Sequence, residues 1–446
     1  MQKYMRWSGM LVVLMLILAA CNGSGDATDE PTAGETAGET AGETAGETAG
    51  ETDGGAGGDP TEICDADEFG CVEVAEGESI LIGTALSISG DTSALGLDSQ
   101  YGAQIAADEN AADGGVFGRE IEFIHEDAGC GDAATGQTAA QALVANEGLV
   151  AVIGTTCSRT AVPAAPVLAQ QGIVLISSSN TSPTLTDPEN EEYAGEYFFR
   201  TAHNDLVQGA AMASFACEQG FATAATIHDG STYADNLRLV FQDEFASQCD
   251  GETISENAIE IGDDQFSDVL GPIADAAPDL LYYPIFHPEG TFITQQARDL
   301  PELDDTQLAA SDGLLGSADL VGQAESEAEG MVLSGPACAG DQYDNEFIPA
   351  YQALSNEELV LSVFHCHAYD AMNIVIAAIE AVAVEGDDGT LFIPKQALRD
   401  AIAGTSGFTG LTGTLTCGEP QPGDCADPNI TVSEVQGGEY VVIWPE

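Results

Sequence analysis

The chain has 446 residues, 44% of them hydrophobic, which is length for two or three domains and enough apolar material for a sizeable core. It carries 75 acidic and 9 basic residues, a formal net charge of −66. That balance excludes nucleic acid as a partner, because phosphate binding needs Lys and Arg, and it disfavours anionic membrane surfaces unless something else anchors the chain.

The first residues supply an anchor. Lys3 and Arg6 precede the apolar run "GMLVVLMLILAA" (9–20), which is too short to span a bilayer comfortably and ends "LAAC" (18–21). This reads as a lipoprotein signal peptide over 1–20 with Cys21 as the lipidated end of the mature chain, holding it to the outer face of a membrane. Residues 21–61 follow as a tether. The unit TAGE repeats five times over 32–51 with no large apolar residue, so the segment cannot bury a core and is expected to be disordered and extended by its like charges.

Next comes a small acidic segment, "EICDADEFGCVEVAEGE" (62–78). Asp65, Asp67 and Glu76 stand at positions 1, 3 and 12 of an EF-hand-like count, with Gly70 at 6. Phe69 occupies position 5, two cysteines interrupt and no helical pattern flanks the run, so it reads as a disulfide-closed loop and not as a calcium site.

From Ser79 the texture is that of an alternating α/β chain. Strands are expected at "SILIGTAL", "REIEFIHED", "LVAVIG" and "IVLIS", and helices at "LDSQYGAQIAADENAA", "AATGQTAAQALVANEG" and "TAVPAAPVLAQQG". In the first helix Leu97, Tyr101 and Ile105 fall on one face. After "YFFRTA" (197–202) the rhythm restarts, with helices at 206–220, 236–248 and 266–277 and strands at 221–229, 252–261 and 278–286. Two such units imply two parallel-sheet lobes of related build. A long late helix over 368–383 has no lobe assigned by pattern alone.

Seventeen acidic residues and no basic one lie between Asn22 and Glu78, which leaves 58 acidic and 7 basic from Ser79 on. A fold with that self-repulsion is relieved by screening, which points to a salt-rich setting. Beyond Cys21 there are ten cysteines, an even number that suits an oxidising compartment. Their connectivity is open. The simplest scheme joins neighbours: Cys64–Cys71, Cys130–Cys157, Cys217–Cys249, Cys338–Cys366 and Cys417–Cys425. No C-x-x-C occurs, and His365 and His367 beside Cys366 lack a clear third ligand, so no metal or other cofactor is expected.

Open parallel sheets bind ligands beyond the carboxyl ends of their strands. "TTCSRT" (155–160) and "SSSNTSPTLT" (177–186) lie at two successive strand ends, rich in hydroxyls and close to helix starts. Each could be plain N-capping, but the pair together suits an anion such as a carboxylate. Arg159 could meet an acidic ligand or lie outward in a local salt bridge, and the outward reading is preferred.

From about Ser79 to Trp444 the chain resembles the type 1 periplasmic binding proteins of ABC transporters, in particular the leucine/isoleucine/valine-binding group. "SISGDTSALG", "GAQIAADENAADGGVFGREIEFIHEDAGCGDAATG", "VIGTTCSRTAVPAAPVLAQQGIVLISSSNTSPTLT", "FFRTAHNDLVQGAA", "FSDVLGPIADAAPDLLYYPIFHPEG" and "SDGLLGS" carry the resemblance. It implies two doubly wound lobes joined by a hinge, with 79–202 and 331–415 in the first and 203–330 and 416–446 in the second. It implies Ser158 and Thr181 as carboxylate ligands, Ser179 as a backbone contact, Asp312 on an ammonium, and Leu95, Tyr233 and Phe286 around the ligand side chain. Cys130 and Cys157 match a disulfide of the group. Leu95 and Phe286 replace tyrosines, and Asp312 is a methylene shorter than the Glu common there.

The function implied is a monomeric, extracytoplasmic solute-binding lipoprotein that delivers a small amino acid, branched-chain type foremost, to a membrane permease. Transport of an amide, urea or acidic amino acid, or ligand sensing for a partner receptor, are the alternatives. An enzyme is not expected: no nucleophile elbow, zinc motif or P-loop is present, and nothing in the sequence puts His203 or His228 beside Ser158.

Overall fold

A computed structural model describes residues 59–356, 359–418, 420–426 and 429–445. The expected signal peptide, Cys21 and most of the tether lie outside the described residues. The acidic segment opens with helix α1 (Pro60–Ala66) and strand β1 (Cys71–Val74), joined by a Cys64–Cys71 disulfide. It is therefore more than a loop. Asp67 accepts from the backbone N–H groups of Gln396 and Ala397 at 2.9–3.1 Å, so it caps a later helix.

The first half alternates up to its last strand: β2 (Ile80–Leu86), α2 (Ser93–Ala112), β3 (Ile121–Asp127), α3 (Ala133–Leu143), β4 (Leu149–Gly154), α4 (Ser158–Ala169), β5 (Val174–Ser177) and, without an α-helix between, β6 (Phe198–Arg200). Its sheet runs β3-β2-β4-β5-β6, all parallel. Near-continuous apolar strands such as "LVAVIG" are buried on both faces, as a helix-covered parallel sheet requires.

The second half holds α5 (Asp205–Gln219), β7 (Thr223–His228), α6 (Thr232–Cys249), β8 (Glu252–Ala258), α7 (Ser267–Ala276), β9 (Leu280–Tyr282), α8 (Glu289–Arg298), β10 (Gln307–Ala310), α9 (Ala318–Ala324) and β11 (Val332–Pro336). After α10 (Ile348–Ser355) comes the long helix α11 (His365–Val382). Then follow β12 (Val384–Glu385), β13 (Leu391–Pro394), α12 (Lys395–Ala403), β14 (Phe408–Gly410), β15 (Gly413–Leu415), β16 (Ile430–Gln436) and β17 (Glu439–Trp444). The second sheet runs β17-β16-β11-β10-β9-β7-β8, with β16 and β17 antiparallel at one edge. The strand at 332–336 thus pairs into the second sheet, so the chain returns to the first half after it and not at 331.

Helix α11 shares its apolar core with β4, β5 and α2, which assigns it to the first half. The close approach is made by glycine: a Cβ on Gly102 would lie 1.9 Å from the His365 carbonyl oxygen. This also corrects the expected face of α2. Of the three expected residues Ile105 is buried, beside Leu95, Asp98, Ser99, Gly102, Ala103 and Ala106, while Leu97 and Tyr101 are half-buried. Small residues win that face because backbones meet there.

The halves are joined at three places: 201–204, the stretch after β11, and the stretch from Leu415 to β16. Two of them are bolted together. Arg200 and Asp424 pair as a parallel bridge, and their fully buried side chains meet at 2.6 Å. All seven cations from Arg119 on donate to a carbonyl or carboxylate of this chain, though of these bonds only that of Arg200 is fully buried. The structure also joins the remaining cysteines as Cys130–Cys157, Cys217–Cys249, Cys338–Cys366 and Cys417–Cys425.

Candidate functional site

Strand β4 stops at Gly154 because the chain must turn against its neighbour: a Cβ there would lie 2.5 Å from the Ala85 carbonyl oxygen. The next four residues reach the start of α4. Cys157 is the N-cap and offers no side-chain cap; the Thr160 N–H turns back to the Cys157 carbonyl at 3.0 Å, which leaves those of Ser158 and Arg159 at the open end of the helix. The disulfide to Cys130 braces this turn.

The two hydroxyl-rich loops are stitched to each other. Ser179 Oγ donates to the Thr156 carbonyl at 2.9 Å, Ser177 Oγ to the Thr155 carbonyl at 2.8 Å, and the Ser182 N–H reaches Ser158 Oγ at 3.3 Å. Arg200 completes the frame. Its guanidinium donates to the carbonyls of Asn180 and Ser182 and to Thr186 Oγ1 at 2.7–3.1 Å while pairing with Asp424.

Facing them from the second half is an acidic wall. Asp312, at the end of β10, accepts from Gln208 at 2.7 Å and from the Tyr233 hydroxyl at 2.9 Å. Tyr233 also meets Ser311 Oγ at 2.6 Å. Asp205 opens α5, takes the Thr181 hydroxyl at 3.1 Å and keeps its Oδ1 without a partner. Burial pushes the Asp312 carboxyl up to about 6, against the pull of its two donors. Burial, with the charge of Asp312, also raises Asp205 well above the usual carboxylate range. The reason is plain: two carboxylates and a histidine lie within 4.8 Å of one another in a dry interior.

Between the walls lies a cavity of about 10 Å³, room for roughly one water. Leu95, Ser158, Ser179, Tyr233, Phe286 and Asp312 line it, so the structure brings six of the seven expected residues together. Leu95 and Phe364 belong to a small apolar cluster, with Phe286 packed against it. Tyr233 stacks on Phe286 with ring centres 5.0 Å apart. A larger space of about 410 Å³ adjoins it at Phe286, walled by Ser89 and Gly131 on one side and Asp229 and Glu289 on the other.

Thr181 does not line the cavity. It is buried behind, where its hydroxyl and carbonyl both hold Asp205. Sequence reasoning weighed His203 only as a partner for Ser158, and did not single out Thr156 and Phe364, nor the supporting residues Arg200, Asp205 and Gln208. A signal existed for the last two: an acid and an amide three residues apart on the buried first turn of an apolar helix. Arg159 is not among the residues that line the cavity, as the outward reading expects, but in place of the expected salt bridge it donates to the Gly131 carbonyl at 3.0 Å.

The chemistry is that of recognition. Ser158 has no hydrogen bond to histidine: His203 is tied to Gln208, and His228 pairs with Asp235 at 3.3 Å. The arrangement presents N–H groups and hydroxyls on one side, a carboxylate opposite and apolar side chains between. Among the described residues no helix is long and apolar enough to cross a membrane.

The periplasmic binding protein family model matches residues 79–438, and the chain belongs to that family. Its members bind substrates and are not enzymes, and they work outside the cytoplasm. A Leu/Ile/Val-binding protein homologue of Brucella melitensis is 26% identical over 374 residues, 81% of this chain and 93% of that protein. Among solved structures, a leucine-binding protein of Thermotoga maritima shares the fold with a TM-score of 0.70 at 23% identity, over 82% of this chain and 97% of that one. A branched-chain amino acid binding protein of Streptococcus pneumoniae, in complex with isoleucine, does so with a TM-score of 0.69 at 24% identity, over 82% and 100%.

Proposed function

We propose that this member of the periplasmic binding protein family captures a small α-amino acid, branched-chain type foremost, between its two halves. It then delivers the ligand to an ABC-transporter permease, acting as a monomer held to the membrane by lipid on Cys21. The observation that carries the reading is the opposition of the walls across one small cavity: the open N-terminus of α4 with Ser158 and Ser179 faces Asp312 across Leu95, Phe286 and Phe364. An α-carboxylate suits the first wall and an ammonium the second, and each wall removes the desolvation cost of its partner. The apolar residues then read the side chain, weakly, since one methylene is worth about 1–3 kcal/mol. The names of the Brucella and Streptococcus relatives agree with this class.

A branched side chain does not fit a space of about 10 Å³, so entry requires the halves, the second of which includes β11 through Pro336, to part and close again about their three connections. The lipid anchor rests on the LAAC sequence at 18–21. Calorimetric titration of the chain with leucine, isoleucine, valine, glutamate, short amides and urea tests the ligand class. One-to-one binding of a branched-chain amino acid is expected. Binding confined to an amide, to urea or to an acidic amino acid would overturn it.

A further inference from the structure

Asp312 is the group that the proposed reading gives to the ligand ammonium, and the way it is held has its own logic. Both of its side-chain donors, Gln208 Nε2 and the Tyr233 hydroxyl, go to Oδ1. No side-chain donor among the described residues hydrogen-bonds to Oδ2, and the remaining donor to the carboxylate is the backbone N–H of Asp312 itself. The Gln208 amide cannot be turned over. Its nitrogen also faces the Ser334 carbonyl at 3.0 Å, so the opposite orientation would set an oxygen against a carboxylate and a carbonyl. The amide oxygen therefore meets His203 Nε2, and that nitrogen must carry the ring proton. His203 Nδ1 is left bare and unpartnered although the ring is buried. The ring stacks on Phe364, a wall of the cavity, at 6.4 Å and 14°.

His203 stands on the first connection between the halves, Gln208 on α5 and Asp312 at the end of β10. Three separate segments thus form one directed chain of hydrogen bonds ending at the carboxylate. We infer that His203 and Gln208 are positioning residues for ligand binding: the His203 N–H fixes the Gln208 amide, and Gln208 pins Asp312 by Oδ1 so that Oδ2 is left for the ligand and the carboxylate stays ionised. The inference rests on the reading of Asp312 as the ammonium partner.

The charged and titratable groups around Asp312 are Asp205 and His203 within 4.8 Å, and Tyr233, with Tyr282 feeling its charge. Arg200 acts on Asp205 and His203 and is already paired with Asp424. Burial holds His203 down to about 4, so it stays a neutral donor wherever Asp312 titrates. Burial alone favours the protonated Asp312, and the Gln208 donor opposes it.

The test is a carboxyl-carbon NMR titration of the ligand-free chain with labelled aspartate, the Asp312 resonance assigned by its loss in Asp312→Asn, beside L-isoleucine titrations from pH 5 to 8. In the native chain the Asp312 midpoint is expected at about 6, with isoleucine affinity falling below it. Gln208→Leu should move the midpoint up by about one pH unit, which by itself weakens isoleucine binding roughly twofold at pH 7 and roughly tenfold at pH 5, where the ionised fraction of Asp312 limits binding. His203→Phe keeps the ring and removes the N–H, and should move the midpoint the same way by less. A merely structural role would lower affinity or melting temperature and leave the midpoint alone. An unmoved midpoint in Gln208→Leu overturns the inference. Full isoleucine binding by Asp312→Asn would instead remove the reading beneath it.

Discussion

The two walls of the cleft solve opposite problems with opposite materials. The first is built from two contiguous loops, each following a parallel strand, and its polar groups are hydroxyls and backbone N–H groups that carry no net charge. The second gathers side chains from the first connection, α5, α6 and the ends of β10 and β11, and concentrates two buried carboxylates there. A neutral wall can stand ready for an anion at little cost. An acidic wall is stable only when its charge is matched by a proton or a cation, which is why both carboxyls titrate high. The difference gives the cleft a direction: a zwitterion has one orientation in which both ends are satisfied.

The largest way to break this arrangement is at the seam. Arg200 frames the first wall through the carbonyls of Asn180 and Ser182 and is the partner of the buried Asp424. Arg200→Met should cost about 3–5 kcal/mol of stability, because it leaves a buried carboxylate without its cation. Thermal and urea unfolding would show it. The double change Arg200→Met with Asp424→Leu should recover most of that loss, since replacing both members of a buried pair is often neutral. A double variant as unstable as the single one would mean that the loop carbonyls, and not the ion pair, carry the effect.

Next in size is the acidic wall itself. Asp312→Ala should leave the fold intact and weaken binding by about 2–5 kcal/mol, roughly 30-fold or more in Kd, by stranding an ammonium in a dry cleft. Calorimetry with isoleucine measures it. Unchanged affinity would move the ammonium to Asp205, whose unpartnered Oδ1 is the other carboxylate oxygen in reach.

The same contrast explains what was legible beforehand. The parallel strands announce themselves as apolar runs, and the first wall's loops sit in plain sequence after them, so the loops 155–160 and 177–186 could be named from the chain, while Ser158 and Ser179 within them came from the resemblance. Six of the seven expected residues meet at one cavity, but Asp312 and the side-chain wall were reached by resemblance and not by pattern. Nothing in periodicity selects one carboxylate from 75. Gln208 and Arg200 went unnamed, and His203 was weighed only as a partner for Ser158, because the roles of Gln208 and Arg200 exist only once segments far apart in sequence are packed together. Gln208 and Asp312 are 104 residues apart, and Arg200 and Asp424 are 224 apart. The buried face of α2 was misjudged for a related reason: periodicity favours large apolar residues, whereas a close backbone approach favours small ones.

The smallest expected effect is the sharpest test of the comparison. If the first wall works through its backbone, removing one hydroxyl should matter little. Ser158→Ala deletes Oγ, which in this structure accepts from the Ser182 N–H, but keeps the N–H groups at the start of α4. The loss should be that of one ordinary hydrogen bond, about 0.5–1.5 kcal/mol or roughly 2- to 12-fold in Kd. It should also be independent of pH from 5 to 8, since no titrating group is touched. Set beside Asp312→Ala in one calorimetric series, it measures how unequal the walls are. A loss as large as that of Asp312→Ala would mean that the ligand anion hangs on the Ser158 hydroxyl. The first wall would then be as dependent on single side chains as the second.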